Sequence, residues 1–396
     1  MSQQGLPYWR LSGVYFFYFA SVGALMPYLG LYLSSIGLVA AQIGVVFAVM
    51  QGTRLVAPSV LAYLSGRFND RMRLIQLVCL LTVSSFSLML HEYDFISILV
   101  LTLLFSFFWN AILSQFEAIT LTLLAKKTEA YSGIRLWGSV GFVVAVAGIG
   151  LVLEYVSLND WPLLVSLCLL ATFVCSLLLA EKGRRKHTKK KSSLTNIIKQ
   201  KQVIAFFMVV FLIQASHGPY YAFFSILLRD LNYSEAQIGQ FWSLGVVAEI
   251  ILFMAIQRVF THVSLRFVLL LSIFLTAVRW LMVAWLADNL VVLLIAQLLH
   301  AASFGAFHVV CIQLTHQYFS GIHQDQGQAL YSSVGFGAGG MLGGLMAGFL
   351  WSYGGEAWVF TLASLLSVLA FIIVWCFLSH DHFEELHASG DGVSSV

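Results

Sequence analysis

The sequence predicts an all-α membrane protein, with twelve transmembrane helices in two six-helix bundles related by a parallel repeat. Three observations predict it. The 396 residues are 60% hydrophobic and only 10% charged, with a mean hydropathy of +0.88; a soluble domain carries about 25% charged residues. Apolar runs recur at roughly 20 residues, the length of a spanning helix rather than a barrel strand. Finally, short motifs return at a near-constant offset. Ala20-Ser21-Val22-Gly23 returns as Ala215-Ser216-His217-Gly218, and Ala41-Gln42-Ile43-Gly44 as Ala236-Gln237-Ile238-Gly239, both 195 residues later. Ser139-Val140-Gly141-Phe142 returns as Ser333-Val334-Gly335-Phe336 after 194.

Taken in order, the spans are expected near 8–34, 40–64, 74–91, 95–125, 133–155 and 161–180, then 203–229, 236–259, 265–287, 289–319, 326–353 and 356–379. Several exceed the length needed to cross and call for tilt. The first bundle is thus 1–180 and the second 203–380, joined by a basic linker at 181–202 and followed by a tail at 381–396. With both termini on the cytoplasmic side, that side receives Arg10, Arg67, Arg71, Arg73, Lys126, Lys127, the linker cluster, Arg258 and Arg266, against Arg229 opposite. This is a strong positive-inside bias and points to the inner (plasma) membrane with cytoplasmic termini. The start MSQQGLPYWR runs straight into a long span, with no short apolar region and no small-residue cleavage site of a signal peptide.

Small residues mark helix contacts. Gly335, Gly339 and Gly343 share one face, and Gly138, Gly141, Ala145 and Gly148 do similar duty in the fifth span. The five cysteines, Cys79, Cys168, Cys175, Cys311 and Cys376, have no metal-ligand or CxxC spacing. No metal, cofactor or nucleic acid is expected, and no enzymatic motif is evident, so transport would run on an ion gradient or the substrate's own gradient.

Ionisable groups inside spans are costly and face a bundle interior or a water-filled path. Two carboxylates lie well inside, Glu117 and Glu249. Glu117 shares a face with Asn110 and Ser114, and Arg135 enters the next span. The pair reads either as a structural rivet or as a substrate contact. Glu249, near Trp242 and Gly245, is the best proton carrier; its structural alternative is a static ion pair with Arg279. Subtracting 195 from Glu249 gives Arg54, so opposite charges occupy pseudo-equivalent positions. His300 and His308 lie two turns apart on one face with Gln297 and Phe304, while His217 shares a face with Gln214 and Tyr221. Together with Glu249 and Arg279 they form a candidate hydrogen-bond network. Tyr220, Tyr221 and Phe304 can supply an aromatic lining.

A parallel repeat of two six-span halves is the arrangement of major facilitator transporters, which bind substrate near the midplane. The motifs RLWGSVGF at Arg135–Phe142, WSLGVVAEIILF at Trp242–Phe253, Ala277-Val278-Arg279-Trp280 and Gln297–His300 closely resemble the phenylpropionate permease family of proton symporters. More distantly the chain is similar to lactose permease. That resemblance places the family's fourth-span Glu and fifth-span Arg on Glu117 and Arg135. Its eighth-span Glu, ninth-span Arg and tenth-span His fall on Glu249, Arg279 and His300. The chain departs from it in three ways. Ser303 stands where the family's proton-carrying carboxylate is expected, which moves proton duty to Glu249. Phe142 stands where a sugar-stacking Trp is expected. Gly66 replaces the usual Asp of the loop after span two, with Asp70 as its possible substitute.

The resemblance implies proton-coupled uptake of a small aromatic carboxylate such as 3-phenylpropionate by alternating access. Arg135 or Arg279 would bind the carboxylate and Phe142, Tyr220 and Tyr221 the ring. Glu117, His217 and His308 would add contacts, and Glu249 with Arg279 and His300 would couple the proton. The expected partners are the small molecule, the proton and the lipid bilayer, for a monomer. Two rivals stay open: a proton-coupled nucleoside or sugar symporter, and a transport-incompetent membrane receptor or assembly factor.

Overall fold

The computed structural model describes residues 7–378 apart from 69, 92–93, 125–129, 180–193 and 261–262, and apart from the side chains of 257–260 and 322. Lys126, Lys127, the Arg258 side chain, most of the basic linker and the tail at 381–396 lie outside the described residues.

Among the described residues, eleven helices are long and apolar enough to cross a membrane. They are Tyr8–Ser35, Ala40–Ser65, Arg71–Leu90, Phe95–Leu124, Ala130–Leu153, Leu158–Leu177, Lys201–Asp230, Glu235–Ile256, Leu265–Leu286, Leu290–Tyr318 and Gln324–Phe377. The last, of 54 residues, is too long for one crossing at 1.5 Å per residue. Gly355, at φ 62° and ψ −155°, breaks it in two, a conformation that only glycine enters at no steric cost. The described residues are therefore all-helical, with twelve spans among them.

The repeated motifs have local structural reasons. In Ala-Gln-Ile-Gly the glutamine caps a helix. Val39 N–H donates to Gln42 Oε1 at 3.1 Å, and Ser234 N–H to Gln237 Oε1 at 2.9 Å. Each bond satisfies a donor left over at the start of a span. In Ala-Ser-x-Gly the serine does the same work twice. Ser21 Oγ donates to Tyr18 O and accepts from the Trp109 indole N–H; Ser216 Oγ donates to Ile213 O and accepts from Trp280. The turns repeat too. Gly37 and Asn232, at φ 89° and 64°, are the left-handed residues that close the first and seventh spans. Other starts use conventional caps, from Asp94 to Ser97 N–H, Ser264 to Phe267 N–H and Asn289 to Val291 N–H. The Asp94 carboxyl, outside the spans, is held below the usual carboxylate range by hydrogen bonds from the Ser97 hydroxyl and N–H. Asp70 is occupied in the same way: it caps the third span through Arg73 N–H at 3.1 Å and pairs with the Arg73 guanidinium at 2.9 Å.

The chain divides into two compact units, Met1–Thr188 with Tyr221–Ser243, and Lys189–Tyr220 with Leu244–Val396. In the first, the first span packs on the fifth and sixth, and the fourth on the second and third. Residues 221–243 join this unit through close backbone contacts. A Cβ on Gly150 would fall 2.6 Å from Glu235 O, and one on Gly239 would fall 2.7 Å from Val146 O. Tyr28 fills the slot between those two glycines and donates its hydroxyl to Val146 O at 2.7 Å. In the second unit the ninth span packs on the tenth and on the last helical segment. Its core gathers Phe206, Val210, Ile213, Leu269, Ile273 and Phe307, each at most 1% exposed.

Candidate functional site

The second unit holds a connected polar chain. Arg279, on Leu265–Leu286, is completely buried. Its Nε donates to Ala296 O at 2.8 Å, and its Nη1 reaches His300 Nδ1 at 3.1 Å and Ser303 Oγ at 3.0 Å. Its guanidinium lies 4.5 Å from the centroids of both Tyr220 and Trp280, a cation–π arrangement. A guanidinium has donors only, so His300 Nδ1 must accept. Neutral His300 therefore carries its proton on Nε2, the atom 3.7 Å from Glu249 Oε2. That separation is too long for a hydrogen bond and close enough for electrostatic coupling. The result is a carboxylate–imidazole–guanidinium series in which His300 stands between Glu249 and Arg279.

Helix irregularity makes room for this series. Residues Ala301–Ala306 form a π-helical turn directly after His300, and Ser333–Gly339 form a second. Such turns widen a helix by one residue and occur often at functional sites. Gly305, inside the first turn, lets Glu249 lie against it; a Cβ there would sit 3.0 Å from Glu249 Cγ. His300, Phe304 and His308 form a stack, with ring centroids 5.4 and 6.0 Å apart and planes within 7°. Phe336, on the second turn, meets Phe304 and His308 edge-on at 6.2 Å.

The remaining predicted residues of this unit join the same cluster. His217 donates Nδ1–H to Ile213 O at 2.8 Å and meets Trp280 edge-on at 5.0 Å. Tyr220 donates to Gln297 Oε1 at 3.0 Å and stacks on His300 at 5.6 Å. His308 Nδ1 lies 2.8 Å from the Tyr331 hydroxyl. Sequence reasoning missed the π turns, the Tyr331 partner and the role of Ser303, which accepts from Arg279. The hydroxyl one turn after a buried arginine's histidine partner was the available signal for Ser303.

In the first unit, Glu117, Arg135 and the Tyr131 hydroxyl are electrostatic neighbours. Tyr15, a further neighbour of Tyr131, donates its hydroxyl to Thr120 Oγ1 at 3.2 Å. The Arg135 guanidinium lies over the Phe19 ring, 3.9 Å from its centroid, rather than against the carboxylate. Phe142 contributes its backbone to a close helix crossing at Gly23. Tyr221 stacks on Trp242 at 6.4 Å. A further cluster, unforeseen as such, joins Arg54 to Asn110.

Twelve spans carrying buried charge and polar chains in two compact units define a multi-pass membrane transporter of the major facilitator type. The chain belongs to the MFS_1 like family, whose sequence profile matches residues 8–362. A probable 3-phenylpropionic acid transporter of Escherichia coli (strain K12) is 30% identical over 89% of this chain and 93% of its own length. A maltose permease of Geobacillus stearothermophilus is 24% identical over 91% of this chain and 92% of its own. The crystal structure of the nucleoside transporter NupG superposes with a TM-score of 0.81 at 17% identity, covering 94% of this chain and 99% of that one. At that identity the likeness is one of fold.

Proposed function

We propose that the protein is a proton-coupled symporter that takes up a small aromatic carboxylate, such as 3-phenylpropionate, across the inner membrane. One observation carries the coupling: the Glu249–His300–Arg279 series at 3.7 and 3.1 Å. Glu249 is its single proton-accepting carboxylate. Ionised, it balances the positive charge held by Arg279 through His300. Protonated, it leaves that charge uncompensated, so proton loading and anion loading favour one another, which is the linkage a symporter needs. The name of the 30%-identical relative supports the aromatic carboxylate as substrate. Tyr220, packed against both Arg279 and His300, places an aromatic face beside the series.

The test is Glu249→Gln in proteoliposomes, a permanent stand-in for the protonated acid. The expected outcome is retained exchange of labelled 3-phenylpropionate with loss of accumulation driven by an imposed pH gradient. Accumulation at the wild-type level in this variant would sink the coupling assignment. Wild-type protein that moves maltose or a nucleoside, and no aromatic acid, would replace the substrate class.

A further inference from the structure

The second span is not a continuous helix. Residues Thr53–Leu55 form a 3-10 turn between Ala40–Gly52 and Ala57–Ser65, and Arg54 sits on that break, more than ten residues from either end of Ala40–Ser65. Broken helices at membrane depth are tolerated where they are buried in protein or line a cavity, and they form ion and substrate sites in transporters. The Arg54 side chain is held in one orientation. Its Nε donates to Asn110 Oδ1 at 3.0 Å. Asn110 in turn donates both amide hydrogens, to Met50 O at 2.9 Å and to Thr53 Oγ1 at 2.8 Å. Those two acceptors fix which end of the amide faces the arginine. Thr53 Oγ1 is itself tied to Ser106 Oγ at 3.2 Å. Every one of these residues lies in the first compact unit.

The geometry points to Arg54, oriented by Asn110, as the residue that binds the carboxylate of the substrate. This rests on the aromatic carboxylate reading above. Three comparisons favour Arg54 over the other arginines in the spans. Arg279 is completely buried, with its Nε and Nη1 engaged by Ala296, His300 and Ser303, whereas Arg54 is partly exposed. Arg135 covers the Phe19 ring and neighbours Glu117, so an incoming carboxylate there would meet a second negative charge. The electrostatic neighbours of Arg54 include the hydroxyls of Tyr18 and Tyr221, which can donate to an anion. Anchoring through Nε fixes the plane of the guanidinium and so the direction from which a carboxylate can dock in two-point fashion. Asn110 is a positioning residue and does not itself touch the ligand.

The experiment compares binding of 3-phenylpropionate with that of its uncharged amide, 3-phenylpropanamide, to the full chain in nanodiscs. Wild type should prefer the acid. Arg54→Gln should weaken the acid at least about tenfold, roughly 1.4 kcal/mol, and leave the amide within about twofold, so that discrimination disappears. Arg54→Lys keeps the charge and loses the fork, and should give an intermediate preference; it also serves if the Gln variant does not fold. Asn110→Ala should lower the acid-to-amide preference severalfold with the amide unchanged, a pattern that general destabilisation does not produce. Acid preference retained in Arg54→Gln and lost in Arg135→Gln would overturn the inference and leave the substrate reading standing. Wild type that binds neither probe would overturn both.

Discussion

Ser-Val-Gly-Phe occurs once in each half of the chain, and the two copies fold differently. In the first, Ser139–Phe142 continues the regular helix Ala130–Leu153. Gly141 lies directly against the Phe16 backbone, and Gly23 lies against Phe142, so the first and fifth spans touch main chain to main chain. In the second, Ser333–Phe336 opens a π-helical turn. Gly335 meets only side chains, with a Cβ there 2.8 Å from Val210 Cγ1 and 3.3 Å from Gln214 Cγ. Close backbone approach passes instead to Gly339, opposite Phe211 O, and to Gly343, opposite Ala215 and Gly218. Phe336, on that turn, meets Phe304 and His308 edge-on. The same contrast holds for charge. The second unit joins Glu249, His300 and Arg279 in a series, while the first leaves Glu117 beside Tyr131 and Arg135 over Phe19. At this motif the first copy provides rigid backbone packing and the second opens a π turn beside the Glu249 series, while the irregularity of the first half lies elsewhere, at Thr53–Leu55.

The largest expected effect tests the charge contrast. Arg279→Gln strands the Ala296 carbonyl, the His300 imidazole and the Ser303 hydroxyl in a buried site. It should cost about 3–5 kcal/mol, as breaking a buried charged network does. Arg135→Gln, which loses a cation–π contact, should cost about 0.5–1 kcal/mol. Denaturant titration in bicelles measures both, and equal losses would erase the contrast.

Next comes the packing contrast. Gly141→Leu drives a side chain into the Phe16 backbone, which cannot yield, and should destabilise by about 3 kcal/mol or more; Gly335→Leu meets side chains that can repack and should cost about 1 kcal/mol. Thermal unfolding in detergent ranks the two variants. If Gly335→Leu proves the more harmful, the π turn is the tighter contact and the comparison reverses.

The smallest effect sharpens the account of the first unit. Tyr131→Phe removes the hydroxyl that lies beside Glu117 and Tyr15, and should cost no more than about 1 kcal/mol, the scale of a single hydrogen bond. Transport of 3-phenylpropionate should persist within about threefold, because this hydroxyl lies outside the Glu249 series. Abolished transport would show that the Glu117 cluster does more than hold the fourth and fifth spans together.

Much of this was legible in the chain itself. The span count followed from hydropathy, and the repeat marked residues whose local bonds recur in both halves: the Ala-Gln-Ile-Gly glutamine that caps a span start, and the mid-span Ala-Ser-x-Gly serine that bonds the carbonyl three positions back. Hydropathy also marked Glu117, Arg135, Glu249, Arg279 and His300 as costly enough to need partners. Their partners were less legible. Glu249 and Arg279 looked like a direct pair, and His300 stands between them. Arg54 entered only as an arithmetic counterpart of Glu249, since nothing in the local sequence announces that Asn110, on another span, will hold its Nε.

Local order was thus determined by the sequence alone: a spanning helix, its caps and its turns depend on hydrophobicity and on bonds within one turn of chain, which short motifs encode. Tertiary structure alone decided where the helices depart from regularity. A π turn at Ala301–Ala306 or a 3-10 break at Thr53–Leu55 weakens local hydrogen bonding, and it persists because contacts from distant residues, Glu249 on Gly305 and Asn110 on Thr53 and Arg54, outweigh that loss.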